Sequence, residues 1–548
     1  MGTLREIIEE ERDPLLGMHV DKSILSKDRW VSFESDKLRG RVGSKVVDYR
    51  TKQVLEIDKL YQALRHTITH FGSAVLYRTL NQPHTSLDII VAKQESVKEL
   101  EADDRLRNGI SDLLTEFRSV ETAIFDFVDG YEPIADSSDP TGLFPRFRET
   151  KKAFEAIKKA AQSIPNPETP YLRYLVDSVL GATESQTHEL IEGPLHRTLS
   201  GIKTRQQKEW YEPSLRFRPV PINWVEAAMA APFAGMMGAF GMGIIESGSI
   251  GMLPWVGLGL TVASVFYGFG FKEGFDKNSA VFPLREFALS NPEFILGIEG
   301  IGRMDELMSF VEYGKSFPAD TSVVLPTMTD YDRHHFRATD LKNPIEAQRN
   351  PGYVGNNIHL DGCGITFITG RNSGGKTNTC LTVEQSQLLA QMGCYIAATT
   401  AEINIADQIH YQAQQFGSQQ NREGMFGVQL EDSMRIFYKV TPRSLVVLEG
   451  LAEGTTDEER KAISGYILNG FHTIGNNTMM VTHDHETVSS FRASGIGQYL
   501  MVEIDSDGSP TFGLIEGIST FSNAQRVAKK LGFSADDIDA NLRERGYR

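Results

Sequence analysis

The chain has 548 residues, 40% of them apolar and 23% charged, and a formal net charge of −16. That composition excludes a disordered chain, the acidity excludes one that coats nucleic acid by bulk charge, and the length suffices for several domains. Three widely spaced cysteines (Cys363, Cys380, Cys394) lack metal-ligand spacing and read as buried thiols in a reducing compartment. The acidic start, MGTLREIIEEERD, has no apolar stretch of a secretory signal, so cytoplasmic synthesis is expected.

Residues 1–45 carry no clear domain signal. From Val47 the spacing turns helical, with Val54, Leu55, Ile57, Leu60 and Leu64 on about one face. The spacing predicts further helices over Phe71–Pro83, from Thr85–Asp88 onward, across Ile110–Phe127, over Arg148–Ile164, and as one long polar helix from Pro170 to about Lys208. Gly130–Pro145, rich in Gly, Pro, Asp and Ser, reads as a loop. The first half is expected to be all-helical.

Between Ala227 and Phe271 there are 45 residues and a single charge, Glu246. Two apolar arms, Ala227–Ile245 and Ile250–Phe271, each approach the ~20 residues that cross a bilayer. Ala227, Ala231, Gly235, Ala239 and Gly243 recur every fourth residue, as in tightly packed membrane helices. Arg216, Arg218, Lys272 and Lys277 flank the arms and favour a hairpin with both ends cytoplasmic. The alternative is a glycine-rich hairpin buried in a soluble core, where each glycine inside a helix costs about 1 kcal/mol.

Helical spacing returns over Asn291–Gly314. Beyond it, Tyr395–Ala398, Met434–Lys439, Ser444–Leu448 and Thr478–Val481 are strand or helix candidates in an alternating α/β pattern. Within that pattern GITFITGRNSGGKT (Gly364–Thr377) reads as a buried strand, a phosphate loop and a helix start. Its glycines let backbone N–H groups surround phosphates at a helix N-terminus. The expected nucleotide contacts are Gly370, Arg371, Asn372, Ser373, Gly374, Gly375, Lys376, Thr377 and Asn378, with the Thr377 hydroxyl on Mg²⁺ and Lys376 on the outer phosphates of ATP. Asn523–Arg548 reads as two short helices broken near Gly532.

ITGRNSGGKT resembles the phosphate loop of MutS-type ATPases, with Arg371 in place of a proline. SLVVLEGLAEGTT (Ser444–Thr456) resembles the family's second nucleotide motif and MVTHDHE (Met480–Glu486) its switch strand. FGSAVLYRTLNQPHTSLDII resembles the start of the family's core domain. The Asn343-Pro344 pair with Val354–Leu360 resembles its approach to the phosphate loop, and Glu516–Phe533 its C-terminal dimerisation segment. In all, the likeness covers about residues 47–220 and 285–540.

The fold implied is an α/β ABC-type P-loop ATPase domain following an all-helical core and lever, with the apolar, transmembrane or buried, helical hairpin. The expected division is an extension (1–45), core and lever (46–220), hairpin (221–280), lever return helix (281–325), ATPase (326–515) and dimerisation segment (516–548).

The resemblance also implies roles. Glu449 falls where the family holds its metal, and Gly450 falls where it has a catalytic glutamate. Losing a positioned base costs about 10²–10⁴-fold in rate, so slow turnover is expected unless Glu453 or His483 substitutes. A register shifted by one residue makes Glu449 the base and leaves Mg²⁺ to Thr377. Gly424-Met425-Phe426 falls on the segment given to the partner's nucleotide, which implies a homodimer. His410, Asp484 and His485 lie near these motifs without metal spacing.

Only about 45 residues precede the core, where mismatch readers carry ~250, and no Phe-x-Glu wedge appears among them. Three functions compete: a membrane-tethered ATP switch on the cytoplasmic face, a cytoplasmic soluble ATPase of DNA repair that binds DNA, and a scaffold that holds ATP and recruits an unknown protein partner.

Overall fold

The computed structural model describes residues 46–128, 143–216, 280–361, 364–370, 374–413, 424–452, 455–507, 509–519 and 531–547. The apolar segment Ala227–Phe271, most of the expected loop Gly130–Pro145 and the extension 1–45 lie outside the described residues, and the last three residues of that loop open a helix instead.

The first part is a helical body: α1 (Tyr49–Val54), α2 (Ile57–Leu64), α3 (His70–Asn81), α4 (Leu87–Ala102), α5 (Asp104–Val128), α6 (Leu143–Gln162), α7 (Pro170–Glu184) and α8 (Gln186–Glu192). Asp48 and Thr69 cap α1 and α3 by accepting backbone N–H bonds, as short polar residues do at helix starts. A small antiparallel sheet follows, β1 (His196–Thr198), β2 (Gly201–Lys203) and β3 (Ser214–Arg216) in the order β2-β1-β3. The expected helix from Pro170 to Lys208 and the all-helical first half are thereby corrected. Ser185 ends α7 and caps α8, Gly193 turns the chain at φ 59°, and Pro194 supplies no N–H to continue a helix.

After the undescribed apolar segment come α9 (Phe282–Ser290) and α10 (Pro292–Lys315), the latter within a residue or so of the expected Asn291–Gly314. α10 is buried on nearly every side and packs against α3, α4, α5 and α7. Gly300 permits this, because a Cβ there would lie 3.0 Å from the Leu175 carbonyl on α7. Its buried carboxylates each meet a partner, although Glu306 Oε1 itself meets no donor among the described residues. Glu299 pairs with Arg78 and Arg303, and Glu306 pairs with Lys93 at 2.8 Å. Asp305 accepts from the Ile68 and Thr69 backbone at 2.9 and 2.8 Å and so caps α3 from outside.

The remaining elements are β4 (Thr327–Thr329), β5 (His335–Leu341), α11 (Glu346–Arg349), β6 (Asn356–Asp361), β7 (Ile365–Thr369), α12 (Lys376–Met392), β8 (Thr400–Asn404), β9 (Ile409–Gln412), α13 (Gly424–Phe437), β10 (Leu445–Glu449), α14 (Asp457–Ile474), β11 (Asn477–Val481), α15 (His485–Ala493), β12 (Gln498–Ile504), β13 (Pro510–Glu516) and α16 (Ala535–Glu544). Six of the strands form a sheet in the order β13-β12-β7-β11-β10-β9, parallel except for β13, and β4-β8-β5-β6 form a second.

Every residue of β7, β10 and β11 is buried, as expected of parallel strands covered on both faces. Strand alternation then sorts side chains between two cores. Ile365, Phe367, Val446, Leu448 and Met480 join Leu468, Phe471, Val488 and Phe491 of α14 and α15 on one face. Ile368, Leu445, Val447, Met479 and Val481 join Cys380 and Val383 of α12 and the helical body on the other. Of the four α/β candidates, Ser444–Leu448 and Thr478–Val481 are the strands β10 and β11. Met434–Lys439 begins in the last turn of α13, and Tyr395–Ala398 makes only an isolated bridge from Ile396 to Val324.

Candidate nucleotide site

The site stands where β7 ends and α12 begins. Gly370 leaves the strand at φ +135°, with the Val502 side chain 3.1 Å from where a Cβ would sit, and Gly375 caps α12 at φ +88°. Both positions need glycine. The Lys376 ammonium is buried and donates to the Gly370 carbonyl at 2.9 Å, so it already closes the loop from within. Burial lowers its pKa, and the nearby Glu449 carboxylate acts in the opposite direction.

Thr377 is exposed on the first turn of α12, while Asn378 is half-buried and donates to the Tyr353 hydroxyl at 2.7 Å. Arg371, Asn372 and Ser373 lie outside the described residues, as does Glu453. Gly374 is buried beside them.

Glu449 ends β10 with its side chain nearly buried, and its Oε1 meets no hydrogen-bond partner among the described residues. A buried carboxylate oxygen without a donor is costly unless a ligand meets it. That orphan atom, the exposed Thr377 hydroxyl and the Lys376 ammonium fit a magnesium-bound nucleotide triphosphate. Gly450 follows at φ +65°, in the left-handed region that glycine takes without strain. His483 lies on the exposed segment between β11 and α15. Asp484 caps α15 through the backbone of Glu486 and Thr487, and among the described residues no group of three His, Cys, Asp or Glu forms a metal cluster.

Sequence reasoning missed the surroundings of this site. Glu384, eight residues past Lys376 and so on about the same face of α12, is fully buried with both carboxylate oxygens unpartnered, and burial pushes its pKa well up. The Tyr411 hydroxyl, also buried, neighbours Glu449 and Glu384. His410 receives its role from Asp48, 3.1 Å from Nδ1, and Arg435 bonds the same carboxylate. Spacing along α12 offered a signal for Glu384; nothing in the sequence joins Asp48 to His410. Cys380 and Cys394 are buried free thiols as expected, and Cys363 lies outside the described residues.

α12 also ties the site to the helical body. Gln385 donates to the Leu55 carbonyl at 2.9 Å, and Gln391 exchanges bonds with His84 at 2.9 and 3.2 Å. α12 thus joins the phosphate loop to the α1–α2 and α3–α4 connections.

Two family models match this chain, MutS domain III over residues 47–206 and MutS domain V over 366–533. The endonuclease MutS2 of Pediococcus pentosaceus is 29% identical over 242 residues, 43% of this chain and 30% of that protein. The DNA mismatch repair protein MutS of Chloroflexus aurantiacus is 29% identical over 174 residues, 31% of this chain and 18% of its own. That of Methanosarcina acetivorans is 22% identical over 472 residues, 78% of this chain and 50% of its own. The chain thus spans half or less of these relatives' length. The two domain matches bracket the helical body and the phosphate-loop domain, and the chain belongs to the MutS family.

Proposed function

We propose that this chain is an ATP-binding switch in which a nucleotide-linked dimer moves the helical body, with slow turnover. The observation that carries the reading is the junction of strand, Gly370 and the α12 N-terminus at Gly375, with the Lys376 ammonium buried and bonded to the Gly370 carbonyl. Bound Mg²⁺ would supply charge neutralisation of the phosphates, held by Thr377 and Glu449. Lys376 exchanges the Gly370 carbonyl for a phosphate oxygen, and the N-terminus of α12 adds its dipole.

Gly450 brings no carboxylate to an attacking water. Turnover then depends on Glu453 or His483, or on Glu449 in the shifted register. The Gln385 and Gln391 bonds would carry the change to the helical body, as a switch requires. Binding to DNA and pairing into a homodimer rest on kinship alone.

Calorimetry of the full chain with Mg²⁺·ATP tests the site. Lys376→Ala is expected to weaken binding by about 3 kcal/mol, two orders of magnitude in Kd. Unchanged affinity refutes the assignment.

A second reading adds a membrane anchor on the cytoplasmic face, formed by Ala227–Phe271. One observation besides its composition favours this. α9, the first described helix after the apolar segment, packs against β2 of the small sheet whose last strand, β3, precedes that segment, so the two flanks of the segment belong to one packed unit. No helix among the described residues is long and apolar enough to cross a membrane. Flotation of the full chain with phospholipid vesicles after a high-salt wash tests the anchor, and recovery in the soluble fraction overturns it.

A further inference from the structure

The small sheet β1–β3 carries side chains that neither the helical body nor the nucleotide site uses. Leu199, in the two-residue turn between β1 and β2, is 94% exposed, Trp210 is 90% exposed and Tyr211 is 70% exposed. Large apolar side chains are normally drawn inside, and a cluster of bare ones marks an interaction surface.

These three share one tip. Thr198 pairs with Gly201 across the hairpin and with Ser214 of β3, so the β1–β2 turn lies at the end of the sheet where the β2–β3 connection, which leaves from Lys203 opposite His196, arrives. The Ser200 hydroxyl donates to Glu212 at 2.7 Å, fastening the Leu199 turn to the Trp210–Tyr211 connection. Lys203 bonds both oxygens of Glu212 at 3.0 and 2.9 Å, and the two rings meet edge to face at 5.8 Å. The tip is a braced structure.

The opposite end of the sheet is seated on the body. Leu195 is buried, Ile202 packs against the main core, and α9 packs against β2.

We propose that this tip docks in the headgroup region of an anionic bilayer. The proposal rests on the anchor reading above and adds to it a face that sets the body's orientation on the membrane. Three observations select a bilayer. Tryptophan and tyrosine with a neighbouring leucine are the side chains that partition at the interface, apolar body inward and polar edge in water.

The stretch His196–Arg216 holds five basic residues against two acidic ones in a chain of net charge −16, which suits anionic headgroups. The apolar segment also begins close by: ten residues, Phe217–Glu226, separate Arg216 from Ala227. At ~3.3–3.6 Å per residue they reach up to about 35 Å. Arg216 pairs with His196, two residues from the tip, and is thus about 7 Å back along the strand. An anchor starting at Ala227 can bring the tip to the bilayer surface without strain.

A nucleic-acid backbone fits the tip less well. A nucleic-acid backbone is gripped by cations that reach phosphates, yet the outermost side chains of the tip, Leu199 and Trp210, are apolar.

The test uses the full chain with Trp210 as its single tryptophan (Trp30→Phe, Trp224→Phe, Trp255→Phe), its folding checked by ATP binding. It is mixed with vesicles of phosphatidylcholine and phosphatidylglycerol brominated near the headgroup. The expected result is a blue shift and loss of most Trp210 emission on vesicle binding, with protection from iodide. A chain that floats with the vesicles while Trp210 keeps its aqueous emission overturns the docking face and leaves the anchor standing. A chain that does not float overturns both. A blue shift already present without lipid means the chain covers its own tip, and protection by duplex DNA instead of vesicles assigns the tip to nucleic acid; either result overturns the proposal.

Discussion

The helical body and the phosphate-loop domain both bury charge, but they treat it differently. Along α10 the Glu299, Asp305 and Glu306 carboxylates each find a cation or backbone N–H, from Arg78, Arg303, Lys93 or the start of α3. At the phosphate loop, Glu449 keeps an oxygen without a donor among the described residues, as the second oxygen of Glu306 also does, and Glu384 farther along α12 keeps two. Matched charges fix geometry; an orphan beside a phosphate loop marks where a ligand completes the structure. The body thus gives each of these carboxylates a cation or a backbone N–H, whereas in the proposed reading the Glu449 orphan is met by the magnesium-bound nucleotide.

Breaking a matched pair in the body should cost most. Lys93→Met leaves Glu306, 1% exposed, without its cation, and a loss of about 3–5 kcal/mol is expected. Adding Glu306→Leu should recover most of it, because two apolar side chains remove the stranded charge. Denaturant titrations of the single and double variants check this. A single variant as stable as the parent would show that the pair is not buried as described.

At the loop domain the corresponding test adds a charge instead. Gly450→Glu supplies the carboxylate that the family places there, and turnover should rise by about 100-fold, the lower end of the effect of a positioned base. The gain has a cost. The φ of +65° at Gly450 opposes any side chain by about 1–2 kcal/mol. Gly450→Ala should show that loss of stability without the gain in rate. If Gly450→Glu is equally inactive in a steady-state ATPase assay, Glu449 is the base and the register is the shifted one.

The two regions also differed in how far the sequence disclosed them. Buried parallel strands and a glycine loop are local patterns, so β7, β10, β11 and the start of α12 could be read from runs such as ITFITG and LVVLE. The long helices of the body were equally open to periodicity, α10 to within a residue or so of each end. The small sheet was not. Its strands are three residues long, too short for alternation to register, and the polar stretch before them continued a helical spacing.

Residue pairings were the least legible. Lys93 meets Glu306, and Asp48 meets His410, across more than 200 residues of chain, and only the packing of α4 on α10 and of α1 on β9 brings them together. Gly450 was legible as a missing glutamate, but its left-handed backbone was not, because that depends on how the chain turns after β10.

A smaller effect compares the two regions through protons. His334, fully buried at the start of β5, accepts from Asn477 at Nδ1 (2.9 Å) and donates from Nε2 to Gln387 (3.2 Å), which leaves no place for a second proton. Burial pushes its pKa down to about 4. Between pH 6.5 and 4 the unfolded chain binds a proton that the folded one refuses, so this group removes about 1.4 kcal/mol of stability per unit of acidification. Asp305 in the body does the reverse. Burial raises its pKa to about 6 despite the bonds from Thr69 and Ile68. Between pH 6 and about 4 the folded state therefore takes the proton first, and stability rises on acidification by a similar slope. The two slopes oppose each other across that window in the parent chain. His334→Gln should unmask the Asp305 slope and gain relative stability toward pH 4, whereas Asp305→Asn should unmask the His334 slope and lose it. Unfolding measured from pH 7 to 4 reads both signs, and parallel curves for the two variants would show that neither proton is held as the packing implies.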